Sequence, residues 1–171
     1  MCGRYTLYSH EDDLAALFEV KPLPLNERYN IAPTQEVPVV TERPGGAREM
    51  TFMRWGLIPH WVKDPTDFKS TLFNARSESA AEKPSFRDAM KTSRCLIPAD
   101  GFYEWMRAED PKQPRQPWRF TVDGGAPFAF AGICTRKEWE DEEDDLQEDD
   151  SDEVEDDGEF HERGHEYRRW V

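Results

Sequence analysis

The sequence lacks several features that would exclude or fix a function. No run of about 18 apolar residues is present, so no membrane-spanning helix is expected. The N-terminus lacks the charged-then-apolar region of a secretory signal, so we expect a cytoplasmic protein. Cysteine is scarce, and Cys2, Cys95 and Cys134 are odd in number and lack metal-ligand spacing. This pattern predicts reduced thiols without a disulfide framework or metal site. We also expect no cofactor.

Lysine and arginine are absent from residues 138–159, which hold 16 Asp and Glu side chains. The remaining residues carry 20 acidic against 22 basic side chains, so the net charge of -14 belongs to one segment. Such a segment is typical of disordered or solvated chain, and it does not exclude binding to nucleic acid elsewhere. We therefore predict a folded core over 1–137, a disordered acidic segment over 138–159 and a C-terminal remnant over 160–171.

Within the core, short alternating runs separated by turn residues favour an α+β fold that is mostly antiparallel β. Residues 37–41 and 49–55 flank a Pro-Gly-Gly turn, and residues 118–122 and 128–133 flank an Asp-Gly-Gly turn. Both patterns predict hairpins. Two short helices are also predicted, the first capped by Ser9 and the second over residues 84–92. The side chains that these helices are expected to bury are Leu14, Leu17, Phe18, Phe86 and Met90.

Cys2 follows the initiator Met1, whose removal is normal before a small side chain. The mature chain would then begin with a thiol and a free α-amine on adjacent carbons. Such a 1,2-aminothiol condenses with an aldehyde to a Schiff base, and the thiol closes onto it as a five-membered thiazolidine. An ordinary buried cysteine is the alternative interpretation at this stage.

Residues 74–78 place polar side chains of four kinds in a short span. If the segment is extended, Asn74, Arg76 and Glu78 share one face. That face is then either a solvated strand edge or a site wall, with Asn74 as a neutral hydrogen-bond partner and Arg76 as a phosphate clamp.

Glu104 lies between large aromatic residues in the run Phe-Tyr-Glu-Trp. A carboxylate in such surroundings is suited to general acid–base work, although a salt-bridged structural Glu fits the pattern too. Trp61 ends an aromatic loop that suits either the core or stacking on unpaired bases. Arg87 is placed to reach outward from the second helix to a phosphate.

Taken together, these segments resemble the SOS response-associated peptidase (SRAP) family of abasic-site processing proteins. The matching motifs are Met-Cys-Gly-Arg-Tyr at 1–5, Arg-Tyr-Asn-Ile-Ala-Pro at 28–33, Trp-Gly-Leu-Ile-Pro at 55–59, Asn-Ala-Arg-Ser-Glu at 74–78 and Pro-Ala-Asp-Gly-Phe-Tyr-Glu-Trp at 98–105. Their order and rough spacing also agree, over roughly residues 1–135.

The resemblance implies a β-barrel-like core with a groove for single-stranded DNA. It also implies a monomer that captures abasic sites in the DNA damage (SOS) response, because the N-terminal Cys forms a thiazolidine with the sugar aldehyde. Self-removal of Met1 is the peptidase activity of the family name, and lyase-type Schiff-base chemistry is associated with it. By the same resemblance, the catalytic residues are Cys2, Asn74, Glu104 and His161, and the DNA contacts are Arg4, Trp61, Arg76 and Arg87.

One departure from the family pattern keeps alternatives open. The motif His161-Glu162-Arg163 continues into Gly164-His165 where the family typically has Met-Pro, so His165 is a weaker substitute for His161. A relative that grips single-stranded DNA without completing chemistry is therefore one alternative, and an N-terminal-Cys amidohydrolase is another. The acidic segment is open to three interpretations: a halophilic trait, a decoy that competes with DNA, or an insertion.

Overall fold

The computed structural model describes residues 3–64, 68, 72–106, 110, 112–139 and 165–170, with the backbone alone for 137–139 and 165–169. The strands are β1 (Tyr5–Leu7), β2 (Arg28–Ile31), β3 (Glu36–Glu42), β4 (Arg48–Trp55), β5 (Arg94–Ala99), β6 (Gly101–Trp105), β7 (Pro117–Phe120), β8 (Phe128–Trp139) and β9 (His165–Trp170). The helices are α1 (Glu11–Phe18), α2 (Ser77–Ala80) and α3 (Arg87–Thr92), and a 3₁₀ turn covers Asp123–Gly125.

These strands form two sheets. One, here called the open sheet, has four strands in the order β2-β1-β6-β7. The other closes into a barrel in the order β3-β4-β9-β8-β5. Neighbouring strands are antiparallel except β4 and β9, which run parallel. The predicted α+β class, with a mostly antiparallel, barrel-like core and a few short helices, is confirmed.

The first predicted hairpin is present as β3 and β4, which pair along their whole lengths from Glu36 opposite Arg54 to Glu42 opposite Arg48. Its turn relies on Gly45 and Gly46, whose φ angles of 98° and 85° are strained for residues with a Cβ. The turn residues and the alternation of apolar residues therefore predict the same pairing of β3 with β4, which made this hairpin predictable.

The second predicted hairpin is wrong. The chain does reverse at the expected turn, where Val122 and Ala126 form an isolated bridge. However, β7 pairs with β6 in the open sheet, whereas β8 pairs with β5 and β9 in the barrel. The turn residues fix the local reversal, but tertiary packing selects the partner of each strand.

A shared aromatic cluster joins the barrel to the inner face of the open sheet. Trp55 of β4 and Trp170 of β9 stack with ring centroids 5.1 Å apart. Tyr5, from β1 of the open sheet, meets Trp55 edge-on at 5.7 Å and Phe130 of β8 at 5.9 Å. Because the two sheets share this core, the barrel fixes the position of β1.

The cap of α1 differs from the prediction. His10, not Ser9, is the capping residue, and its Nδ1 accepts a hydrogen bond from the Asp12 amide at 3.3 Å. The Ser9 hydroxyl instead donates to the buried carboxylate of Asp100, which lies between β5 and β6. Ser9, which the local pattern assigned to the helix cap, therefore binds Asp100, a residue far away in the sequence.

The helices bury fewer of their apolar side chains than predicted. Leu14, Phe18 and Phe86 are buried as expected. Leu17 and Met90 are instead 50% and 36% exposed. Helices of eight and six residues present only a narrow stripe to the core, so a residue at the margin of the apolar face stays outside.

The predicted segment boundaries remain predictions. The acidic segment lies outside the described residues except for its first two positions, which belong to β8. Residues 165–170, assigned to the C-terminal remnant, form β9 and complete the barrel.

Candidate active site and nucleic-acid interface

The pairing of β1 with β6 extends to Arg4, whose carbonyl accepts from the Tyr103 amide at 2.9 Å. Tyr5 lies opposite Phe102 in this antiparallel pair. Continuing the register by two residues brings Gly3 level with Glu104. Cys2 itself lies outside the described residues, and Gly3 is its neighbour in the chain.

Glu104 lies at the end of β6, where it is half-buried and pairs with Trp118 of β7. Its side chain shares a sheet face with Phe102, because alternate residues of a strand point the same way. The Phe102 ring stacks on Phe120 at 5.4 Å and meets Phe130 at 5.9 Å, so this face looks toward the core. The cross-strand partner Trp118 is 56% exposed, and the acid–base role expected of Glu104 stays a prediction.

Asn74 lies in the segment between β4 and α2, where it is half-buried and lines a cavity of about 260 Å³. The aromatic residues in the cavity wall are Tyr5, Trp55, Phe73, Phe130 and Trp170. The segment is held because the Trp55 indole donates to the Phe73 carbonyl at 2.7 Å. Tyr5 lines this cavity and also belongs to the strand pair that carries Glu104, so it links the surroundings of Asn74 and Glu104.

The extended segment predicted over residues 74–78 ends early. Arg76 has an extended backbone, but its carbonyl accepts from the Ala80 amide at 2.9 Å and so starts α2. Glu78 therefore lies in a helix and does not share a strand face with Asn74. Arg76 is exposed at the helix start, where its guanidinium is accessible to a phosphate.

Trp61 and Arg87 are brought into one surface patch. Trp61 is 48% exposed, and the His60 ring stands edge-on to it at 5.2 Å. His60 in turn lies 3.6 Å from the Asp88 carboxylate, which is 3.7 Å from Arg87 Nε. The loop after β4 and the start of α3 thus present an exposed ring beside an exposed guanidinium.

The remaining two cysteines lie within the barrel. Cys95 and Cys134 are buried free thiols on the neighbouring strands β5 and β8. The Cys134 thiol donates to the Ser93 carbonyl at 3.4 Å. The hydrogen bond with Cys134, together with burial, raises the pKa of Cys95. Both thiols are buried, which limits their access to a substrate.

His161 lies outside the described residues, so its predicted role stays a prediction. His165 is the first residue of β9, with its backbone opposite Trp139. In the described part of the chain, no His, Cys, Asp and Glu side chains group as metal ligands. None of the helices described is long and apolar enough to span a bilayer.

Sequence reasoning missed one surface. The outward side of the open sheet carries Arg4, Tyr8, Tyr29, Tyr103, Trp105 and Arg119. These residues come from four separate parts of the sequence, so no local pattern groups them. The available signal was the aromatic run Phe102-Tyr103-Glu104-Trp105 within β6.

Comparison with known proteins shows the family of this chain. A family model described as SOS response associated peptidase (SRAP) matches residues 1–153. The chain belongs to this family.

Among relatives, the abasic site processing protein YoqW of Bacillus subtilis is 43% identical over 137 residues, covering 78% of this chain and 59% of that protein. The rat abasic site processing protein HMCES is 39% identical over 100 residues, covering 53% of this chain and 28% of that protein. The chain therefore spans about three fifths of the length of the Bacillus relative.

Crystal structures of two bacterial proteins share the SRAP-like fold of this chain. One from Bordetella bronchiseptica has a TM-score of 0.70 at 23% identity and covers 99% of this chain and 70% of that chain. One from Bacteroides thetaiotaomicron has a TM-score of 0.72 at 23% identity, covering 99% and 66% respectively. At this identity the likeness concerns the fold alone.

Proposed function

We propose that the protein captures abasic sites in single-stranded DNA and holds them through a covalent thiazolidine at Cys2. The observation that carries the proposal is the β1–β6 register, in which Tyr5 lies opposite Phe102, so that its continuation leads from Gly3 toward Glu104. An N-terminal aminothiol next to Gly3 would then have a carboxylate close by. The names of the relatives, which describe abasic site processing, support the choice of lesion.

The proposed reaction begins when removal of Met1 frees the Cys2 amine. The amine attacks the aldehyde carbon of the ring-opened sugar and forms a carbinolamine, which loses one water to give an imine. The Cys2 sulfur then bonds to the imine carbon, and its proton moves to the nitrogen. The product is a five-membered ring, and no oxidant, reductant or cofactor takes part.

Each site residue has a proposed role in this sequence. Glu104 carries protons between the amine, the departing water and the imine nitrogen. Asn74 donates and accepts neutral hydrogen bonds that orient the N-terminus and the sugar. His161 assists the Schiff-base steps, including strand cleavage by β-elimination. Arg4, Arg76 and Arg87 contact phosphates, and Trp61 stacks on a base.

The test uses mature protein and a single-stranded oligonucleotide with one abasic site. We expect a shifted band that survives heat and detergent, with intact mass equal to protein plus DNA minus one water. Cys2→Ser is expected to give no lasting adduct, because an oxygen ring of this kind hydrolyses readily. The matched control is Cys134→Ser, which removes a buried thiol and should keep the adduct.

Three outcomes contradict the proposal. A complex that salt dissociates, with no stable band, indicates a binding module without chemistry. Hydrolysis of glutamine by the purified protein indicates an amidohydrolase instead. Retention of Met1 in the isolated protein also contradicts it, because the amine would then be blocked.

A further inference from the structure

The barrel holds two thiols next to each other in its core. Cys95 of β5 lies opposite Gly132 of β8, and Cys134 is the second residue beyond Gly132. Because alternate residues of a strand point to the same face, the Cys95 and Cys134 side chains leave the sheet on one side as diagonal neighbours. Both are buried in the same apolar cluster. The proposed mechanism uses neither thiol.

A chain of hydrogen bonds joins the two thiols. The Cys95 thiol donates to the Cys134 sulfur, and the Cys134 thiol donates to the Ser93 carbonyl at 3.4 Å. Accepting the bond from Cys95 lowers the pKa of Cys134, against the opposing effect of burial. Since the thiolate is the reactive form of cysteine, Cys134 is the better nucleophile of the pair and Cys95 is its proton-bearing neighbour.

Cys95 also lines a small cavity at the surface of the barrel. The cavity has a volume of about 180 Å³ and lies where β3 ends and β5 begins, with Arg48 and Arg94 in its wall. A space of this size admits a molecule as small as hydrogen peroxide, whereas a DNA strand is far too large for it. The thiol pair is therefore open to a small oxidant although it is closed to the DNA substrate.

A bond between the two sulfurs requires a small movement of the backbone. Diagonal residues of adjacent antiparallel strands lie about 7–8 Å apart between their Cα atoms, whereas disulfides usually span about 4.4–6.8 Å. Closing the bond would therefore draw β8 toward β5. A disulfide formed under such strain is easily reduced again, so the pair suits a reversible modification better than a permanent bridge.

Trp170 lies between the thiol pair and the cavity beside Asn74. The Cys134 amide donates to the Ser93 carbonyl at 2.8 Å, so the polar backbone groups of Cys134 face away from β9. Cys134 and Trp170 therefore form a pair without hydrogen bonds, in which the Cα atoms are only about 4.5 Å apart. The Trp170 ring stacks on Trp55 and lines the same cavity as Asn74. A displacement of Cys134 would thus move a wall of that cavity.

We propose that Cys95 and Cys134 are a peroxide-sensitive dithiol, which closes reversibly to a disulfide and shifts Trp170 beside the candidate active site. The Cys134 thiolate attacks one oxygen of hydrogen peroxide, the O–O bond breaks, and the departing hydroxide takes up the thiol proton to form water. The Cys95 sulfur then bonds to the sulfur of the resulting sulfenic acid, the S–O bond breaks, and hydroxide leaves with the Cys95 proton as a second water. Two thiols are oxidised and one peroxide is reduced. The site does not involve Cys2 and does not rest on the proposed function.

The first test is chemical and uses the whole chain with Cys2→Ser, so that the thiol of Cys2 does not take part. After brief treatment with hydrogen peroxide, alkylation of the unfolded protein should find no free thiol. Digestion should yield one linked pair of peptides that contain Cys95 and Cys134, with a mass two hydrogen atoms below their sum, and dithiothreitol should separate them. Two thiols that stay free, or links that form only between molecules, would overturn the proposal.

A second test follows Trp170 in the folded protein. Oxidation should lower the tryptophan fluorescence, because a disulfide against an indole ring quenches its emission, and dithiothreitol should restore it. Trp170→Phe should remove most of this change, whereas Trp118→Phe, which replaces an indole that is 56% exposed on the open sheet, should keep it.

Cys95→Ala is the decisive variant, because it leaves Cys134 without a partner. Peroxide should then produce a sulfenic acid at Cys134, which dimedone traps, and no reversible loss of fluorescence. An equal loss in Cys95→Ala and in the protein with both thiols would overturn the proposal, since peroxide would then act on other side chains. A bridge that forms without any change in fluorescence would overturn the link to Trp170.

Discussion

The barrel and the open sheet are both built mostly from antiparallel strands, but they differ in how many strand edges are paired and how much of each strand is buried. In the barrel every strand has a neighbour on both sides, and Val37, Val39 and Ile97 are fully buried. The open sheet ends at two edges, and all four residues of its edge strand β7 are exposed. The comparison suggests that the barrel supplies stability and the open sheet supplies the reactive surface, with Tyr5 joining them.

The largest effect that tests this division is expected at Glu104. Glu104→Gln removes the proton carrier but keeps the shape, so cross-link formation should slow about 10²- to 10⁴-fold. The free energy of unfolding should change by no more than about 0.5 kcal/mol. Quenched time courses on denaturing gels give the rate, and urea titration gives the stability. Glu42→Gln at the exposed end of β3 is the control, and an unaltered rate in Glu104→Gln would exclude this role for the carboxylate.

A substitution in the barrel is expected to lower the stability and leave the reaction unchanged. Ile97→Ala leaves a cavity beside the buried strands and should lower the free energy of unfolding by about 2–5 kcal/mol. Leu96→Ala, on the outward side of the same strand and 38% exposed, should lower it far less. Adduct formation per folded molecule should be unchanged in both, well below the unfolding temperature. A slowed reaction in folded Ile97→Ala would show that the two regions are not separable.

The barrel half of this comparison was predictable only where local and tertiary preferences agree. The hairpin of β3 and β4 has turn glycines, and the alternation of its two strands matches. Local and tertiary preferences therefore favour the same strand pair. β8 also follows a turn, but it pairs with β5 and β9 of the barrel and not with β7. Trp170 gave no signal, because its parallel pairing with β4 crosses more than a hundred residues. Local pattern does not encode such partners.

An intermediate effect is expected where the two regions meet. Asp100→Ala leaves the Tyr8 and Ser9 amides without their buried acceptor, which should destabilise the fold by about 2–3 kcal/mol. It should also weaken lesion-free strand binding, because the Tyr8 ring loses an anchor. Urea titration and fluorescence anisotropy measure the two effects. Asp110→Ala, which removes an exposed bond to the Lys112 amide, should change neither. A destabilised variant with full affinity would show that Asp100 serves the fold alone.

The candidate site was predictable to a different degree from the fold. Asn74 and Glu104 became candidates because dense polar or aromatic runs mark them, and the structure gives Glu104 the cross-strand partner Trp118. The stack of Tyr8 and Tyr29 was missed, because each residue alone is an ordinary surface tyrosine. The stack forms only because the fold brings together segments that lie apart in the sequence.

The smallest expected effect separates two exposed arginines. Arg76, at the start of α2, is a proposed phosphate contact, whereas Arg43, beside the β3–β4 turn, pairs with Glu49. Arg76→Ala should reduce the slope of log affinity against log salt by about 0.7 for a single strand, because one fewer counterion is released. Arg43→Ala should leave the slope unchanged and lower stability by at most about 1 kcal/mol. Since both changes remove one positive charge, equal slopes would mean that net charge alone attracts the strand, without a located contact.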